Sequence, residues 1–261
     1  MRKVLRAAPR QRRIGTARAL CLVFAMAGLA PATPLHAADA PQGRTWAEIA
    51  ALPDWGGVWE PDWSILYNPN RPKPPLTPAA EKALQAFNAA KEKGENLQGE
   101  GANCVPPGMP TIMSMPYPIE FLMTPGKVTV AIETYSQMRR IFTDGRPLPA
   151  DPDPAFQGYS VGKWQDGVLT VETIGFDPGT KIAEGIGHGP DMRIGERMKL
   201  VEPDVLEVET TITDPVTYTR PHVSVLRYKR HRDWDIREYV CQQNNRDAAD
   251  AQGRPSMNIE M

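Results

Sequence analysis

Three cysteines, four histidines and 7% aromatic residues are all that the 261 positions provide of the residue types that most often carry metal, redox or stacking chemistry. His188, His222 and His231 are widely spaced and form no H-x-H or H-E-x-x-H pair, so spacing supports no dedicated zinc site. No metal or other cofactor is expected. Nothing repeats at a fixed period, which excludes solenoids and propellers. The apolar run at 19–30 is too short to span a bilayer.

Acidic side chains are missing from the first 37 residues, whereas Arg2, Lys3, Arg6, Arg10, Arg12, Arg13 and Arg18 stand there ahead of the apolar run. A basic start, a short apolar stretch and the small residues Ala37 and Ala38 read as a secretory signal peptide over 1–37, which places the mature protein in the periplasm. Ile14-Gly15-Thr16 after Arg12-Arg13 fits a twin-arginine signal poorly, and the export route stays open. Cys21 has no lipobox before it, so the mature chain is expected to be soluble and without a membrane anchor. Seven of 30 basic residues leave with the leader and none of 31 acidic ones, so the remainder carries a net charge of −8. That sign disfavours nucleic acid and anionic lipid as partners and leaves a small molecule; oligomeric state is not legible.

Cys104 and Cys241 remain after the leader. In an oxidising compartment they are expected to pair, the alternatives being two buried thiols or metal ligands. From 41 to 75 the chain alternates Trp46, Trp55, Trp59 and Trp63 with breakers and reads as an irregular arm. Thr77-Pro78 predicts an N-cap and first helical turn, with Ala80, Leu84 and Phe87 on one face and Gly94 as the stop. A proline- and methionine-rich loop containing Met109 follows between 99 and 118; it either contacts an apolar ligand or caps one end of a sheet.

Beyond 118 the pattern is β. Alternation and turn signals predict strands at 119–123, 127–135, 138–143, 159–164, 168–174, 192–201, 205–213, 222–230 and 234–241. Nine meandering strands in one core-sized chain point to a mainly β fold, an antiparallel lipocalin-like barrel or strongly curled sheet, with a β-sandwich as second choice. The expected organisation is a leader over 1–37, arm, helix and loop over 38–118, barrel over 119–247 and a flexible tail over 248–261.

Glu196 shares strand parity with Met192, Ile194, Met198 and Leu200, and Glu238 does so with Trp234, Ile236 and Val240. A carboxylate facing a core must be paired, hydrogen-bonded or protonated. Two readings follow. Either each glutamate is neutralised by an inward arginine drawn from Arg139, Arg140, Arg146 and Arg246, or the two form an acid–base pair in a pocket. Glu133 is a weaker third carboxylate. His188, in a glycine-rich loop leading to the Glu196 strand, is the candidate third catalytic group, or else an exposed loop histidine. His222 and Tyr228 share one strand face, and Arg140, Met109, Asn244, Asn245 and Arg246 complete the candidate substrate contacts. Gly158-Tyr159-Ser160-Val161-Gly162 spells G-x-S-x-G, but it runs into a hairpin instead of from a strand into a helix, so it is no nucleophile elbow.

Pro107-Gly108-Met109-Pro110, the tract Arg139-Arg140-Ile141-Phe142-Thr143-Asp144-Gly145-Arg146, Gly158 to Trp164, Thr211-Ile212-Thr213-Asp214-Pro215 and the tract from Glu238 to Asp247 together resemble a widespread group of secreted bacterial all-β proteins of unassigned function. The resemblance spans about 53–247. It implies no catalytic residues, and Pro147-Leu148 stands where the group has a histidine after its Asp-Gly-Arg turn. The functional expectation is therefore a cofactor-free enzyme doing elimination, isomerisation or hydrolysis on a small, partly apolar molecule, or a carrier that holds such a molecule without chemistry.

Overall fold

The computed structural model describes residues 43–95 and 104–241. The expected leader over 1–37, the expected tail over 248–261 and the candidate contacts Asn244, Asn245 and Arg246 lie outside them. Nine strands close a barrel in chain order: β1 (Val58–Pro61), β2 (Ile119–Thr124), β3 (Lys127–Ile132), β4 (Gln137–Phe142), β5 (Tyr159–Gln165), β6 (Val168–Ile174), β7 (Arg193–Glu202), β8 (Val205–Thr213) and β9 (His222–His231). A ring with an odd number of strands cannot alternate direction all the way round. One parallel contact therefore interrupts the expected antiparallel meander, between β4 and β5 at Ile141↔Ser160 and Phe142↔Val161, after the crossover at 143–158. Closure itself is antiparallel, with Val58 to Pro61 running against Tyr228 to His231.

Local chemistry sets the hairpins. At the β5–β6 turn Asp166 and Gly167 both have positive φ, +51° and +75°, the type I′ geometry whose twist matches the flanking strands. Side chains then alternate: Leu169, Val171 and Thr173 of β6 and Ile194, Glu196 and Met198 of β7 are buried on the inner face. The helix α3 (Pro78–Glu92) starts where Thr77 accepts from the Ala80 amide at 3.3 Å, with proline in its first turn. Its Ala80, Leu84 and Phe87 face is half-buried.

The aromatic arm is more ordered than its breakers imply. It forms α1 (Trp46–Ala50), the closing strand β1 and α2 (Trp63–Leu66). Trp55 and Trp59 are fully buried, and Trp55 meets Phe121 and Trp164 edge to face at 5.1 and 4.8 Å. Arg230 stacks over Trp59 at 4.5 Å and donates to the Asp54 carboxylate at 3.0 Å, so the arm plugs the barrel beside the end of β9.

One predicted strand is not there. Residues 234–240 have no ladder, because β1 already occupies the edge of β9. The loop before β2 is pinned by Gly108 at φ +69°, where a Cβ would lie 2.3 Å from the Thr180 side chain and 2.6 Å from the Phe156 carbonyl oxygen. Cys104 and Cys241 are joined in a disulfide. Among the described residues no helix is long and apolar enough to cross a membrane.

Candidate functional site

Inside the barrel one ionic cluster interrupts the apolar rows. Arg139 of β4 is fully buried and Glu196 of β7 is 3% exposed. Their contact is bidentate: Nη1 donates to Oε1 at 3.0 Å and Nη2 donates to Oε2. Nη2 also reaches Thr173 Oγ1 at 3.1 Å, and Ser160 and Thr173 share a hydrogen bond of 2.8 Å. The serine of the G-x-S-x-G sequence is thus a buried member of this network on a plain strand. Tyr228 lies close enough for the Glu196 charge, after burial, to push its phenol well above the ordinary range, and its hydroxyl donates to the Met113 carbonyl.

One register step outward the interior opens. Glu196 stands opposite Thr210 of β8, which stands opposite Ser224 of β9. Thr210 and Ser224 line a cavity of about 410 Å³, whereas Glu196 lies behind its wall. The volume falls within the range of about 300–1,000 Å³ typical of small-molecule pockets. Val208, Ile212, Leu226 and Met113 make the walls apolar, Ile182 and Ile186 close one side, and Arg71 and Lys73 enter from the segment after α2. His222 and Tyr218 sit at the same opening with ring centres 5.1 Å apart. Burial, with the nearby Asp214 carboxylate, pushes the Tyr218 phenol up to about 12.

Burial first, and the positive charges of Arg71 and Arg220 second, hold the His222 imidazole below its ordinary 6.5. The folded state therefore takes up that proton less readily than the unfolded chain. Stability tied to the neutral ring is fully present above pH 6.5 and is lost as pH falls through the lower folded value. Urea unfolding measured across this window should show stability falling with acidification, and His222→Gln should flatten that slope; an unaltered slope in the variant removes the assignment.

The structure brings together only some of the residues singled out by sequence. His222 and Tyr228 face the cavity as their shared parity predicts. Glu238 does not: it is exposed in the strandless segment, so the two glutamates form no inward pair. Glu133 accepts from the Arg237 amide at 2.9 Å and fastens that segment. Arg140 is exposed on the outer face of β4, opposite Thr129, because the inward parity belongs to Arg139. Met109 is core, 1% exposed, and its loop reaches the cavity through Pro110 and Met113 instead.

His188 is held by its own loop. Nδ1 lies 2.7 Å from the Gly189 carbonyl, and Nε2 lies 2.8 Å from Thr180 Oγ1 and 3.1 Å from the Asp177 carbonyl. It borders a separate surface cleft with Asp151, Asp191 and Arg193, not the barrel cavity. Asp144 and Arg146 pair with each other locally at 2.6 Å. Arg71, Lys73 and Tyr218 were not anticipated. The available signal was a basic residue on either side of Pro72, in a segment with no periodicity to orient it. Among the described residues no three His, Cys, Asp or Glu side chains are grouped closely enough to hold a metal ion.

No protein-family model matches the chain, and a search of curated proteins finds no similar sequence.

Proposed function

We propose that this protein is a carrier, exported to the periplasm, that holds a small and largely apolar molecule in the barrel cavity and performs no chemistry on it. One observation carries the reading. The cavity walls are mainly apolar side chains with a few hydroxyl groups, Arg71, Lys73 and His222 stand at its opening, and the inward Glu196 carboxylate is tied to Arg139 and does not line it. The paired-glutamate mechanism considered from the sequence needs a carboxyl group that meets its substrate and can exchange a proton with it. Glu196 meets a guanidinium instead, and Glu238 lies on the surface.

An apolar probe tests this directly. N-phenyl-1-naphthylamine should bind saturably with enhanced fluorescence, and Ser224→Phe, which places a ring in the open space beside Thr210, should weaken binding at least about tenfold, ~1.4 kcal/mol. Circular dichroism of the variant checks that the barrel is intact. A probe that fails to saturate, or that binds a folded Ser224→Phe as tightly as the parent, removes the cavity as the binding site.

A further inference from the structure

We infer that the ligand is an anionic amphiphile, a carboxylate on an apolar chain or ring system, with its body among Val208, Ile212 and Leu226 and its head at Arg71, Lys73 and His222. The inference rests on the carrier reading and adds the chemistry of the ligand's polar end. Its basis is a charge asymmetry. Among the described residues the cavity lining includes Arg71, Lys73 and His222 and no aspartate or glutamate; the buried Asp214 carboxylate lies behind Tyr218, where the Gly189 and Val216 amides donate to it.

Several barrel cations are neutralised at short range, although the exposed Arg140, Lys163, Arg193 and Arg197 form no ion pair among the described residues. Arg139, Arg227, Lys229, Arg230 and Arg232 each have a carboxylate within 4 Å. Among the described residues Arg71 and Lys73 form no such pair; the one side-chain hydrogen bond of Arg71 goes to the Leu66 carbonyl at 3.3 Å. Burial first, and then the positive charges of Arg71 and Arg220, disfavour protonation of His222, so both guanidinium groups are felt at the opening. A chain that carries −8 beyond its leader thus has a local positive potential where an apolar cavity meets water.

A ligand's carboxylate placed there gains two cationic partners and the His222 ring as a third polar contact. A cationic head meets like charge. A neutral head leaves both cations as they are in the empty protein, with nothing gained or lost.

Titration calorimetry at pH 7 with decanoate, 1-decanol and decyltrimethylammonium separates the outcomes, because the three share one apolar chain. Decanoate should bind about tenfold more tightly than decanol, the product of two partly exposed ion contacts, and the cation most weakly. In the Arg71→Ala/Lys73→Ala double variant the preference for decanoate should collapse while decanol binding stays unchanged. Both side chains are exposed, so the variant is expected to fold, and its melting curve checks this. Decanol binding as tightly as decanoate, or a preference that persists in the double variant, overturns the head-group assignment and leaves the carrier reading standing. Binding of none of the three removes both.

Discussion

Glu196→Ala is expected to lower the unfolding free energy by roughly 3–5 kcal/mol, the usual consequence of removing one partner of a buried ion pair. The guanidinium left behind is fully buried, and its Nε already has no acceptor among the described residues. Ser160 and Thr173 can accept from one nitrogen but cannot offset a full charge. Replacing both partners together, Arg139→Met with Glu196→Leu, should recover most of the loss or exceed the parent by up to ~4 kcal/mol, because the desolvation cost of both ions disappears with them. Urea denaturation of the parent, the two single variants and the pair gives the coupling energy directly. Salt should change it little, since the pair is shielded from solvent. The same variant separates structure from chemistry. If Glu196 were kept for proton transfer, Glu196→Gln would remove an activity and leave the melting curve nearly in place; a Glu196→Ala protein that melts with the parent contradicts the structural role argued here.

Loss of the Cys104–Cys241 bridge should have an effect of similar size. Its sequence separation of 137 corresponds to about 5 kcal/mol of denatured-state entropy in the loop-closure account. The native state depends on it as well. The segment 234–240 has no ladder and is held by the Arg237 amide on Glu133, by Ser136 donating to the Tyr239 carbonyl at 3.1 Å, and by Tyr239 against Tyr117 and Tyr135. The partner half of the bridge anchors the loop that sends Pro110 and Met113 into the cavity wall. The Cys104→Ser/Cys241→Ser variant, or the parent in reductant, should therefore unfold at markedly lower urea and bind the apolar probe more weakly. Hydrogen exchange distinguishes the two contributions: faster exchange confined to 104–118 and 234–240 reports native loosening, while uniform loss of protection reports the entropic share. An unchanged urea midpoint after reduction would contradict both.

The two errors in strand prediction have one physical cause. Trp234, Ile236, Glu238 and Val240 alternate as a strand does, but alternation records only that one face is apolar. A strand also needs an edge to pair with, and the edge of β9 is taken by β1. β1 in turn is nearly invisible in sequence: four residues, three of them buried, ending in Pro61. Its burial on both faces erases the period-two pattern, and proline is tolerated only because it ends the strand. The other eight strands and α3 were legible because alternation, turn glycines and the Thr77-Pro78 cap are local signals.

By itself the sequence determined the phase of each long strand, and with it that Glu196 faces inward and that His222 and Tyr228 share a face, since side-chain direction follows from backbone geometry alone. It also determined that Cys104 and Cys241 were the pair available for a bridge. Only the tertiary structure decided which cation meets Glu196, 57 positions away, because that depends on which strand the closed ring brings across the interior from β7. Closure likewise left Glu238 outside and brought Arg71 and Lys73 to the cavity. Contacts between distant segments depend on which strand edges remain unpaired, and that is a property of the whole barrel, not of any stretch within it.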